Sequence, residues 1–174
     1  MESFSENKYE RLLDEVFVRY PSVQEVGFEG AYKPGLDRML SFDAFLGHPH
    51  RSFRSIHIAG TNGKGSVANM LSSVLSSAGL KTGLFTSPHL LDFRERMRIS
   101  YGGKTSLVDK EYVYSFLTGN MEEIERLSLS FFEITTALSF KWFADGGVDV
   151  GVVETGLGGR LDSTNIITPD LSVI

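Results

Sequence analysis

The chain has 174 residues, a formal net charge of −5 and no cysteine. That length suits one domain with a proper core and not two full domains, and the missing cysteines exclude a disulfide scaffold and a thiolate metal site. There is no concentrated basic field for nucleic acid and no apolar run long enough to cross a bilayer. The polar start, Met1 to Asp14, is unlike a secretory signal, which leaves a cytoplasmic protein as the default expectation.

Tyr9, Leu12, Leu13 and Val16 recur at helical spacing and predict a helix over 7–18. Gly27 to Gly35 reads as a glycine-rich loop. A second short helix is expected over Leu36 to Leu46, closed by Gly47 and Pro49. Ser55 to Ala59 is a short, mainly apolar strand, broken by Gly60 to Gly65. Val67, Met70, Leu71, Val74, Leu75 and Ala78 then share one helical face, with Gly79 as C-terminal cap, and a strand follows at Leu80 to Thr86. Strand, glycine loop, helix and strand in this order make a βαβ crossover, which implies a parallel sheet under helical cover.

Ser87 to Gly103 is long and charged and reads as a functional loop followed by a strand. Ser106 and Asp109 suit a capping box ahead of a helix carrying Val113, Phe116, Leu117, Ile124 and Leu127, with Gly119 as a point of interruption. Phe131 to Phe143, apolar over most of its circumference, predicts a buried helix. Val148 to Val153 is mostly valine without strict alternation, as in a central parallel strand, and delivers Glu154 to a loop with glycines at 156, 158 and 159. Ile166-Ile167 and Leu171 to Ile174 are further strand candidates. The last reads as a strand cut short, so a fragment of a longer protein is expected.

The chemistry concentrates in Gly60-Thr61-Asn62-Gly63-Lys64-Gly65-Ser66. Glycines let consecutive amides turn inward on an anion, and the following helix N-terminus adds its dipole. Lys64 can balance charge on outer phosphates, and Ser66 can put a hydroxyl on Mg²⁺. Gly65 intervenes between Gly-Lys and Ser, so this is a variant of the common phosphate loop. The Gly-x-Gly-x-x-Gly spacing of a dinucleotide site is absent. Glu154, at a strand end where parallel sheets bind ligands, reads as a second Mg²⁺ contact, or else as a partner of Arg160. His57 reads as a hydrogen-bonded core side chain, and His48 and His50 as turn residues. His89, after Thr86-Ser87-Pro88 on the ligand side, is a candidate for contact with substrate or nucleotide. Arg94, Arg96 and Arg98 suit either an anionic substrate or an ordinary charged surface. No spacing suggests a zinc site.

Several segments taken together resemble folylpolyglutamate synthase/dihydrofolate synthase, a branch of the Mur ligase superfamily. They are Leu36-Asp37-Arg38-Met39, Ile56 to Ser66, Thr86-Ser87-Pro88-His89-Leu90, Arg94-Glu95-Arg96 and Glu154 to Asn165. The resemblance implies an α/β fold with a P-loop NTPase-like, mostly parallel sheet and helices on both faces. It makes residues 1–174 the N-terminal part of the ATP-binding central domain, truncated, with the C-terminal domain absent. It also implies an ATP-dependent ligase that joins L-glutamate to dihydropteroate or a reduced folate through an acyl phosphate. ATP and Mg²⁺ are then the cofactors, with no nucleic-acid or membrane partner, and the full-length protein is expected to be a monomer. Lys64, Glu154 and His89 would be catalytic, with Ser66 and Glu154 as the metal contacts. Ser87, Pro88, His89, Arg94, Arg160, Asp162 and Asn165 would line the folate side. The fragment alone is expected to be inactive. Another phosphate-loop phosphotransferase and a non-catalytic nucleotide-binding module remain the alternatives.

Overall fold

The computed structural model describes residues 4–22, 27 and 35–174. Of the expected Gly27–Gly35 loop, all but the two end residues lie outside the described set. The elements run α1 (Glu6–Arg19), α2 (Asp37–Phe45), β1 (Arg54–Ile58), α3 (Lys64–Ser77), β2 (Thr82–Phe85), β3 (Met97–Tyr101), β4 (Lys104–Leu107), α4 (Lys110–Arg126), α5 (Phe131–Asp145), β5 (Val150–Glu154) and β6 (Leu171–Val173). One six-stranded sheet has the order β4-β3-β2-β5-β1-β6. β2, β5, β1 and β6 are parallel, and β3 and β4 run antiparallel at one edge. This is the expected mostly parallel α/β sheet. β1 and β2 are not neighbours, however, because β5 lies between them.

The period-2 geometry of the strands divides the sheet into two apolar faces. Ile58, Leu84 and Val152 point to one face, where Ala68 of α3 packs with Val67, Leu71 and Leu75. Phe85, Met97 and Val153 point to the other, larger core, shared with α1, α2, α4 and α5. Helices therefore cover both faces. The buried side of α3 is narrower than its periodicity suggested. Ala68 and Ser72 are buried, whereas Met70 and Val74 are exposed. The small side chains at 68 and 72 seat the helix against the sheet, and the apolar arc runs beyond that contact.

Three local expectations are corrected. Ser106 forms no capping box, because it pairs with Ile99 inside β4; Asp109 occupies the α4 N-cap without a side-chain cap bond. The working capping boxes are Asp92 with Glu95, and Ser130 with Glu133. Gly119 does not interrupt α4. Ile166 ends a short 3₁₀ turn and buries with Ile167, so neither is in a strand. The charged segment hides a hairpin, β3–β4, whose turn residues Gly102 and Gly103 both have positive φ (58° and 75°), as a two-residue turn requires.

Large aromatic side chains rest directly on glycines in the strands. A Cβ at Gly151 would lie 2.8 Å from Phe53, and one at Gly83 would lie 2.9 Å from Phe143. Phe53 and Phe143 meet edge-to-face at 5.7 Å, so neither ring can retreat without disturbing the other. Gly151→Ala is expected to destabilise the fold by about 1–3 kcal/mol through overpacking. Urea unfolding checks this: the midpoint should fall with the slope unchanged, and an unchanged midpoint would refute the steric argument.

Candidate functional site

The C-terminal ends of β1 and β5, neighbours in the sheet, face the same side. β1 leads into Gly60–Gly63, where Gly60 (φ 133°) and Gly63 (φ 79°) adopt conformations that suit glycine. Gly63 is the N-cap of α3 and makes no side-chain cap bond, so the amides of Lys64, Gly65 and Ser66 are not answered by a capping side chain. Together with the helix dipole, they form an anion-binding end. Thr61, Asn62 and Ser66 are exposed, and Lys64 is half-buried.

Glu154 closes β5 with 4% exposure. Its Oε2 accepts the amide of Ser87 at 3.1 Å, which ties the end of β2 to the end of β5. The same carboxylate faces Gly65: a Cβ there would lie 3.5 Å from Oε2 and 3.8 Å from Oε1. These are ordinary van der Waals distances, so the start of the helix rests directly beside the carboxylate. Burial raises the Glu154 carboxyl above its ordinary range, while the Ser87 amide and the Lys64 charge pull it back. Among the described ion pairs none joins Glu154 to Arg160, which is exposed, so the alternative reading of Glu154 as its partner does not hold. Hydroxyl and carboxylate oxygens at Ser66 and Glu154 are the hard donors that Mg²⁺ takes, so these residues fit that ion.

The segment from Ser87 to Arg96 is built by its own side chains. Glu95 accepts the amides of Leu90, Leu91 and Asp92. Arg94 is bound to the Asp92 carboxylate and to the carbonyl of Val108. Arg96 is buried, lies 5.1 Å over the Phe131 ring and donates from Nε to His89 Nδ1 at 2.9 Å. With Nδ1 accepting, a neutral His89 carries its hydrogen on Nε2. The ring also meets Phe17 and Phe93. Pro88, exposed, follows Ser87 through a cis peptide bond. Sequence reasoning missed the tasks of Glu95 and Arg96; the Asp-x-x-Glu spacing at Asp92 was the available signal.

Asp162 is directed inward. Oδ2 accepts the amides of Gly156 and Leu157, and Oδ1 accepts the amide and hydroxyl of Thr164. Thr164 Oγ1 also meets buried His57 Nε2 at 2.8 Å. Burial holds the His57 imidazole below its ordinary value, so it is a packed core group. Asp162 thus organises the loop after β5 from within. Arg160 stays exposed on that loop, its carbonyl accepting Asn165 Nδ2 at 3.0 Å.

The raised Glu154 carboxyl has a sign that can be measured. A group whose folded value exceeds its unfolded value gives stability present at low pH and lost as the pH rises through the folded value. Without nucleotide, Glu154→Gln is therefore expected to melt above the parent at neutral pH, with the gap closing as the pH falls into the carboxylate range. Thermal denaturation across that range checks it; a variant that melts lower at neutral pH would show that the carboxylate's contacts outweigh its burial.

The chain matches no family model. The dihydrofolate synthase/folylpolyglutamate synthase of Bacillus subtilis (strain 168) is 43% identical over 148 residues, covering 82% of this chain and 34% of the relative. The crystal structure of folylpolyglutamate synthase from Thermotoga maritima superposes with a TM-score of 0.76 at 40% identity, over 92% of this chain and 36% of that one. Folylpolyglutamate synthase of Mycobacterium tuberculosis, solved with ADP and AMPPCP, superposes with a TM-score of 0.80 at 33% identity, over 97% and 36%. The sheet and its helical cover are those of the Mur ligase fold. The chain spans about a third of the length of the curated relatives it matches. By sequence and by fold it belongs to the folylpolyglutamate synthase/dihydrofolate synthase family.

Proposed function

We propose that the protein containing this chain is an ATP-dependent ligase that joins L-glutamate to the carboxylate of dihydropteroate or a reduced folate through an acyl phosphate. These residues would supply its phosphate- and Mg²⁺-binding side, as the first part of the ATP-binding domain. The observation that carries this reading is the uncapped N-terminus of α3 standing against the buried Glu154 carboxylate across Gly65. An anion site and an acidic oxygen this close suit a phosphate chain accompanied by a hard divalent cation.

The loop amides of Gly60 to Gly65 would orient the outer phosphates, and Lys64 would meet the charge that grows on the transferred phosphoryl group. Ser66 and Glu154 would hold Mg²⁺, which when bound neutralises phosphate charge. On this assignment Glu154 is a metal contact and not a general base. Ser87, Pro88 and His89 would face the acyl acceptor. Arg94, Arg160 and Asn165 would complete that side, and Asp162 would set the shape of the loop from behind. The glutamate subsite is assigned to the remainder of the protein, which closes the site so that the acyl phosphate is protected from water.

Lys64→Ala in the full-length protein is expected to lower glutamate incorporation by roughly 10²–10³-fold at saturating ATP, the scale of losing one preorganised stabiliser of developing charge. Near-normal turnover would remove Lys64 from phosphoryl transfer. Ser66→Ala should shift the Mg²⁺ requirement upward at unchanged thermal stability, and an identical metal titration would rule out its contact. Dihydropteroate and a reduced folate tested side by side with labelled glutamate identify the acceptor. Nucleotide binding without incorporation into either would favour a non-catalytic module.

A further inference from the structure

We propose that Asp43, His48 and His50 form a binding site for a divalent transition-metal ion of the Zn²⁺ class, separate from the phosphate-loop site. Asp43 lies near the end of α2, and His48 and His50 lie in the turn that leads into β1. The trio is therefore at the opposite end of β1 from Gly60–Ser66. Its ligand atoms, one from each residue, lie within 4.8 Å of one another.

The carboxylate of Asp43 is 1% exposed. Oδ2 receives His48 Nδ1 at 2.7 Å and Oδ1 receives His50 Nδ1 at 2.6 Å. Among the described residues no arginine or lysine pairs with it. A buried carboxylate needs charge compensation, and two imidazoles aimed at its two oxygens supply a nitrogen-nitrogen-oxygen donor set. That set suits Zn²⁺ and its neighbours and does not suit Mg²⁺ or Ca²⁺, which prefer oxygen. The backbone is bent to make it. His48 takes left-handed dihedrals (φ 59°, ψ 52°), uncommon outside glycine, and its amide is held by the Asp43 carbonyl at 2.8 Å.

Metal–ligand lengths of about 2.0–2.1 Å put tetrahedral donors roughly 3.3 Å apart, so each imidazole nitrogen would draw back from its carboxylate oxygen by roughly half an ångström. His48, whose side chain is 39% exposed, sits on the side that can give. On binding, each imidazole presents the lone pair of Nδ1 to the ion and carries its one hydrogen on Nε2, and a water takes the remaining position. The bound ion would fasten the end of α2 to the turn that feeds β1.

The test uses chelator-treated full-length protein titrated with Co²⁺ and then Zn²⁺. Expected are one Co²⁺ per chain with the visible absorption of a tetrahedral ion, its displacement by Zn²⁺, and a melting temperature raised by either ion. His48→Asn and His50→Asn should each weaken Zn²⁺ binding by at least about tenfold while remaining folded. They keep the test open if Asp43→Asn fails to fold. Glu154→Gln should leave uptake unchanged, which separates this site from the phosphate loop. No tetrahedral absorption in the parent, undiminished uptake in the double histidine variant, or loss of uptake in Glu154→Gln would each overturn the proposal.

Discussion

Glu154 ends a central strand in near-complete burial, where an ionised carboxylate is unfavourable unless something answers its charge. One answer is internal: the amide of Ser87, brought by β2 on one side of β5. The other is the helix end and lysine brought by β1 on the other side. The strand order β2-β5-β1 is thus an electrostatic arrangement as well as a topological one. Placing β5 between the two earlier strands puts its terminal carboxylate within reach of both loops. Gly65 lies beside the same carboxylate, where a Cβ would be in ordinary contact with both oxygens.

The rigidity of that arrangement comes from the core beneath it. Phe53 and Phe143 press on glycines in β5 and β2, and Phe132 presses on Gly156 just past the strand end, where a Cβ would lie 2.5 Å from the ring. Aromatic packing continues through Phe17, Phe93 and Phe131 to the guanidinium of Arg96 and so to His89. The loops that follow β5 and β2 are therefore each seated on aromatic rings. Their positions are set by close packing, which tolerates little displacement.

The parallel sheet, the glycine loop and the Glu154 strand end were legible because each is written locally, in a valine run, in glycine spacing, or in a helix that starts where the loop stops. The β3–β4 hairpin was less legible. Its strands are short and charged, and only Gly102-Gly103 marks the turn. The exposure of Met70 and Val74 was hidden, since periodicity shows which side of a helix is apolar but not how much of it a partner covers. The resemblance put Asp162 on the folate side; the direction of its side chain depends on the four donors that the folded turn supplies. The convergence of Asp43, His48 and His50 was out of reach of spacing rules. It exists because the chain reverses at a left-handed residue.

The inward carboxylate of Asp162 also bears on how this loop can vary. Its two oxygens answer three amides and a hydroxyl. Asparagine would set an N–H against those donors, glutamate would overshoot them and serine would fall short, so neighbouring side-chain chemistries offer no substitute. Arg160 and Leu161, immediately before it, are exposed and make no such demand. A single buried anchor therefore lets the outward residues change freely while the loop keeps its course. Sequence drift along this rim would alter what the surface recognises without reshaping the surface itself.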